Sequence, residues 1–131
     1  MEIDEALVAH LTGDAAVSAL IGTKVRPLRA DPDDTAPYIV YQRIVTTEEH
    51  SHSGPTGVQR PRFQFSCVGS SYAQARTLAI AVRASLNGFS GLMGGAGGVT
   101  VGWVNVDNEV EDYEFDTNLE RVILDATISH K

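Results

Sequence analysis

Between Arg62 and Val68 the side chains alternate. Phe63, Phe65 and Cys67 are apolar, whereas Arg62, Gln64 and Ser66 are polar. This period of two predicts a strand with one buried face. Gly69-Ser70-Ser71 breaks the alternation, and Ser71 followed three residues later by Gln74 has the spacing of a capping box that opens a helix. From there the period changes: Tyr72, Ala75, Leu78, Ala79, Val82 and Leu86 recur at helical spacing, with Gln74, Arg76, Thr77 and Arg83 on the other side. Asn87-Gly88 closes the helix, with Gly88 suited to the left-handed position after it. A strand and a helix joined by so short a turn must pack on each other.

The other elements are read around this unit. Ile3, Leu7, Val8 and Leu11 form a short helical stripe ending at Gly13, and Asp14 caps a second turn or two carrying Val17, Leu20 and Ile21. Val25 to Leu28 predicts a brief strand restricted by Pro27 to an edge or an end, and Asp31 to Pro37 a loop. Tyr38 to Thr47 is a strand with apolar residues on both faces, so it is central or one of its faces meets another subunit. Glu48 to Gly57 is expected as a loop longer than a hairpin needs. Gly88 to Gly98 holds six glycines in eleven positions and is expected as a flexible connector. A strand from Val99 to about Val106, with Val99, Val101 and Trp103 alternating, leads into the acidic segment Asp107 to Asp116. In the last strand, Leu119 to Ile128, Val122, Leu124, Ala126 and Ile128 face inward and Arg121, Asp125 and Thr127 outward. The fold class that follows is α+β, a mainly antiparallel sheet with helices packed on one face.

The 131 residues make one domain, long enough to bury roughly two-thirds of its surface around a single core. Cys67, the single cysteine, sits on an apolar strand face with no basic neighbour in sequence to stabilise a thiolate, and reads as a core residue. An acidic start and the lack of a long apolar run lead to the expectation of a soluble protein from a reducing compartment. Ten basic against seventeen acidic residues give a net charge of −7, which argues against a surface built to grip nucleic-acid phosphates.

Candidate chemistry is sparse. The glycine-rich run follows a helix and precedes a strand, the inverse of a phosphate cradle, and no Gly-Lys-Ser or Gly-Lys-Thr accompanies it. His50 and His52 beside Glu48 and Glu49 are types that ligate zinc, but two histidines on a polar loop read first as solvated. Asp107, Glu109, Glu111, Asp112, Glu114 and Asp116 lack a calcium-loop pattern and are interleaved with Val110, Tyr113 and Phe115; the segment reads as a solvated hairpin or as a surface for a basic partner. No serine sits in a nucleophile motif. The residues alone therefore point to a non-enzymatic domain without a metal or cofactor.

Taken whole, the chain resembles the tail completion, or tail terminator, family of long-tailed bacteriophages and gene transfer agents. The resemblance is carried by Asp14-Ala15-Ala16-Val17, Leu20-Ile21-Gly22, Val25-Arg26-Pro27-Leu28, Pro37 through Arg43, Ser71 through Ala75, Leu86-Asn87-Gly88 and Tyr113-Glu114. The run Gly94 to Gly98 and the pair His50 and His52 depart from it. The resemblance implies a structural virion protein of the tail and neck, assembled in the host cytoplasm. It implies a ring of six copies that ends tail-tube polymerisation and joins tail to head. Its partners would be further copies of itself, the tail tube protein and a head-tail connector or stopper protein, with DNA passing through the lumen without specific binding and no membrane involved. The residues expected at subunit or partner interfaces are Tyr38, Val40, Tyr41 and Arg43 on the two-faced strand, Glu48, Glu49, His50 and His52 in the loop after it, and Glu109, Glu111, Asp112 and Glu114 in the acidic segment. The competing classes are another neck or head-completion component, and a small enzyme or regulatory subunit.

Overall fold

A computed structural model describes residues 2–51, 54–115 and 118–131, with the backbone alone for 47–51, 54–56 and 114. Two helices, α1 (Ile3–Gly13) and α2 (Ala15–Ile21), are followed by the strands β1 (Val25–Pro27), β2 (Tyr38–Ser51) and β3 (Gly54–Gly69). Helix α3 (Tyr72–Leu86) then leads to β4 (Gly91–Met93), β5 (Val99–Glu114) and β6 (Leu119–His130). The six strands form one curled sheet in the order β1-β2-β3-β6-β5-β4, antiparallel except for the β1–β2 pair. The α+β reading holds.

The predicted strand, turn and helix form its centre. Phe63, Phe65 and Cys67 are fully buried, and across from them on β6 lie the buried Val122, Leu124 and Ala126. Ala75, Leu78, Ala79, Val82 and Leu86 of α3 cover that face. Ser71 accepts the N–H of Gln74 at 3.2 Å, as a cap should, but the Gln74 side chain accepts from the N–H of Ser70 at 2.7 Å rather than closing on Ser71. The turn is so tight that a Cβ on Gly69 would lie 2.5 Å from the Ala75 nitrogen. Asp14 caps α2 by accepting from Ala16 and Val17, and those two N–H groups hold its carboxyl below the usual carboxylate range, Val17 most strongly. Helix α1 closes the layer, with His10 hydrogen-bonded to the Ser85 carbonyl at 3.0 Å and edge-on to Phe89.

Three expectations change. Glu48 to Gly57 is not a long loop, because β2 continues to Ser51 and β3 begins at Gly54, with His50 opposite Pro55 and Ser51 opposite Gly54. Pairing between two strands supplies the backbone partners that polar composition alone does not reveal. The acidic segment is likewise strand to Glu114, because β6 offers a ladder along its whole length. The glycine-rich stretch is not a free connector: β4 pairs with β5, Met93 is fully buried, and a Cβ on Gly98 would lie 2.1 Å from the Met93 carbonyl oxygen. One detail of alternation also shifts. An irregularity between Val101 and Trp103 turns Trp103 to the face away from the helices, while Val104 and Val106 take the buried positions.

The centre can be tested by truncation. Phe65→Ala and Leu78→Ala should each lose about 2–5 kcal/mol of unfolding free energy, since both side chains are fully enclosed. A chemical-denaturation midpoint unchanged from the parent protein would show that this pair does not hold the layers together.

Candidate assembly surface

Helices cover one face of the sheet, so the other is bare. On it β2 places Tyr38, Val40 and Gln42, β3 places Gln64, Ser66 and Val68, and β6 places Arg121 and Ile123, side by side in register. Together with Leu28 and Arg29 beyond β1 they line a groove of about 400 Å³. Its floor mixes apolar side chains with amides and one guanidinium, and no set of converging acids, bases or nucleophiles is present among its lining residues. Further along the same face Arg62 meets Asp125 at 3.4 Å, and Arg121 pairs with Asp112. This face therefore neutralises its own charges.

The structure divides the residues that sequence suggested for interfaces. Tyr38 and Val40 are half-buried on the bare face, but Tyr41 turns to the opposite face, 9 % exposed and tilted against Phe63, where burial raises its hydroxyl pKa. Arg43 is exposed on that helix-bearing face with its guanidinium 5.2 Å from the Phe63 ring centre. Glu48, Glu49 and His50 lie on the β2 backbone in the ribbon that β2 and β3 form beyond the pairing of Gln59 with the end of β6. Their side chains, that of Glu114, and His52 as a whole lie outside the described residues.

The acidic strand proves two-sided. Glu109 and Glu111 face the helices, where Arg76 meets Glu109 at 2.8 Å and the Tyr72 hydroxyl donates to Glu111. These contacts raise the pKa of both donors. The match is geometric, since residues four apart on a helix and two apart on a strand have nearly the same spacing. Asp112 faces the other way, to Arg121, which with the Tyr113 N–H holds its carboxyl below the usual range. Sequence reasoning missed these partners, although Tyr72 and Arg76 at helical spacing, opposite acids at strand spacing, were the available signal. At the β5–β6 turn, Tyr113 and Phe115 stack edge to face at 5.0 Å, with Phe115 83 % exposed.

Cys67 is fully enclosed, and burial pushes its thiol far above the ordinary range. Among the described residues no group of three His, Cys, Asp or Glu side chains is placed to hold a metal ion, and no helix is long and apolar enough to cross a membrane.

Because the folded-state pKa of Asp112 is depressed, its pairing with Arg121 stabilises above the unfolded value of about 4 and is lost as pH falls through the folded value. Thermal melts between about pH 5 and pH 2 should thus show a shallower acid decline for Asp112→Asn than for the parent. Parallel curves would mean that the exposed pair contributes nothing.

Comparison with known proteins gives the surface its context. A family model described as "Tail completion protein gp17" matches residues 5–131. Among solved structures, a chain from a structure titled "Virion of native gene transfer agent (GTA) particle" has the same fold, with a TM-score of 0.77 at 18 % identity over 95 % of this chain and 90 % of that one. No curated protein matches.

Proposed function

Because this chain belongs to the tail completion protein gp17 family, a family of structural phage-tail components, we propose that it forms a closed ring at the head-proximal end of the tail tube. There it ends tube polymerisation and presents the surface to which the DNA-filled head joins. The observation that carries this reading is the bare sheet face, a broad surface with no catalytic constellation, on a chain whose core lies wholly on the other side. An antiparallel sheet covered on one face only leaves the other free to face water or a partner, so a ring of such copies can turn its helices outward and this face inward.

The two ends of the molecule support the division of labour. The β2–β3 ribbon projects past the end of β6 on one side, while the β5–β6 turn, with its aromatic pair, closes the opposite end beside Gly69. A ring of such copies has two different rims, one for the tail tube protein and one for a head-tail connector or stopper. The net charge of −7 suits a lumen through which DNA slides, because a protein that gathers few cations releases few counterions and does not hold the phosphates.

The test is mass measurement and negative-stain imaging of the purified protein, alone and with tail tubes. Closed rings are expected, in solution at high concentration or on tube ends, together with tubes that stop growing when the protein is added. A strictly monomeric mass with undecorated, still-elongating tubes overturns the proposal.

A further inference from the structure

We propose that the sheets of neighbouring copies are joined edge to edge: the open edge of β2 after Tyr41 pairs antiparallel with the open edge of β5 before Tyr113 in the next copy, placing Arg43 opposite that copy's Glu111. The inference rests on the ring reading above and specifies its seam.

The main-chain directions are fixed by hydrogen bonds. On β2, the Ile39 N–H donates to the Lys24 carbonyl at 2.9 Å, and the Tyr41 carbonyl accepts from the Leu28 N–H at 2.8 Å. Both residues thus turn their polar groups away from β3, and with continuous register to Phe63 so does Arg43, beyond the last residue that β1 pairs. On β5, the Val104 carbonyl accepts from the Gly88 N–H at 2.9 Å, and the Val106 N–H donates to the Asn87 side chain at 3.0 Å, so these groups face away from β6. Ala126 and Leu124, two apart on β6, stand opposite Val106 and Glu109, so the irregularity after Val106 carries the same orientation on to Glu109 and Glu111. The window closes at Tyr113, whose N–H is taken by the Asp112 carboxylate at 2.8 Å. Strand edges left open in this way recruit another strand.

The two edges fit each other on both faces. Arg43 lies on the helix-bearing face, over Phe63, and Glu109 and Glu111 lie on that same face, held by α3. On the bare face, Val45, 50 % exposed, is opposite Arg62, and Val110, 48 % exposed, is opposite Ile123. Joining the edges therefore sets cation against anion on one side and valine against valine on the other.

The offset between the edges is that of a barrel. Following the register across the sheet, Glu111 stands level with Ile39, four residues before Arg43. Pairing Arg43 with Glu111 thus shifts successive copies by about 13 Å along the strands for about 19 Å of sheet width, a strand tilt of roughly 35°, within the range that closes barrels. Six copies would enclose a barrel about 44 Å across between backbones, with the helices outside and the bare face lining the lumen. Because the edges lie on opposite sides of one sheet, the contact is head-to-tail and propagates until it closes.

Two experiments on the full-length chain decide it. Directly opposed residues on an antiparallel pair have Cα atoms about 5.5 Å apart, within disulfide reach, and Cys67 is enclosed. Oxidised R43C/E111C protein should give a ladder of covalent multimers up to the ring on non-reducing denaturing gels, with each single variant stopping at dimer. In the charge exchange, R43E and E111K should each lower ring yield at least tenfold and the double exchange should restore it. Rings by imaging without a ladder and without restoration overturn the seam and leave the ring standing; no rings from the unaltered protein on tail tubes overturns both.

Discussion

The structure depends on one close approach, where β3 turns into α3. Gly69 has no side chain, and the helix backbone occupies the space where a Cβ would stand. That contact brings Phe65 and Leu78 into the same enclosed layer, with only Ser70 and Ser71 between the strand and the helix. Once α3 is held there, the remaining helices can only add beside it, as His10 does by reaching the Ser85 carbonyl near its C-terminal end. Every helix then lies on one side. The bare face is thus a consequence of the core, and surface area that the fold leaves unused becomes available for assembly.

How far this was legible in the sequence follows from where the signals are local. Phe63, Phe65 and Cys67 declare a strand by period, Ser71 and Asp14 declare caps, and Val122 to Ile128 declares a face; each depends on neighbours within a few residues. The ends of the long strands depend on distant ones. Nothing near His50 or Glu111 favours a strand over a polar turn, and only the partner strand, supplied by the tertiary fold, decides. For the same reason the acidic segment was read as one patch. Pleating sends Glu109 and Glu111 to one side and Asp112 to the other, and composition carries no information about that division. Trp103 shows a third limit: a single irregularity in the ladder reverses which face a residue joins, and Gly102 is its only trace.

Local pairing also offsets part of the negative charge of this acidic chain. Asp34 is held by Arg26, Glu109 by Arg76, Asp112 by Arg121 and Asp125 by Arg62, so a large part of its cationic complement is committed within the molecule. What remains outside is mostly negative, and a net charge far from zero opposes non-specific self-association.

A phage tail protein is made in a cell whose thiols are kept reduced and persists in a particle outside that cell. Cys67 has no accessible surface, and its thiol, raised by burial, stays protonated. Oxidants attack thiolates that they can reach, and here there is none to attack. Cys67 therefore offers no reactive sulfur in either redox environment.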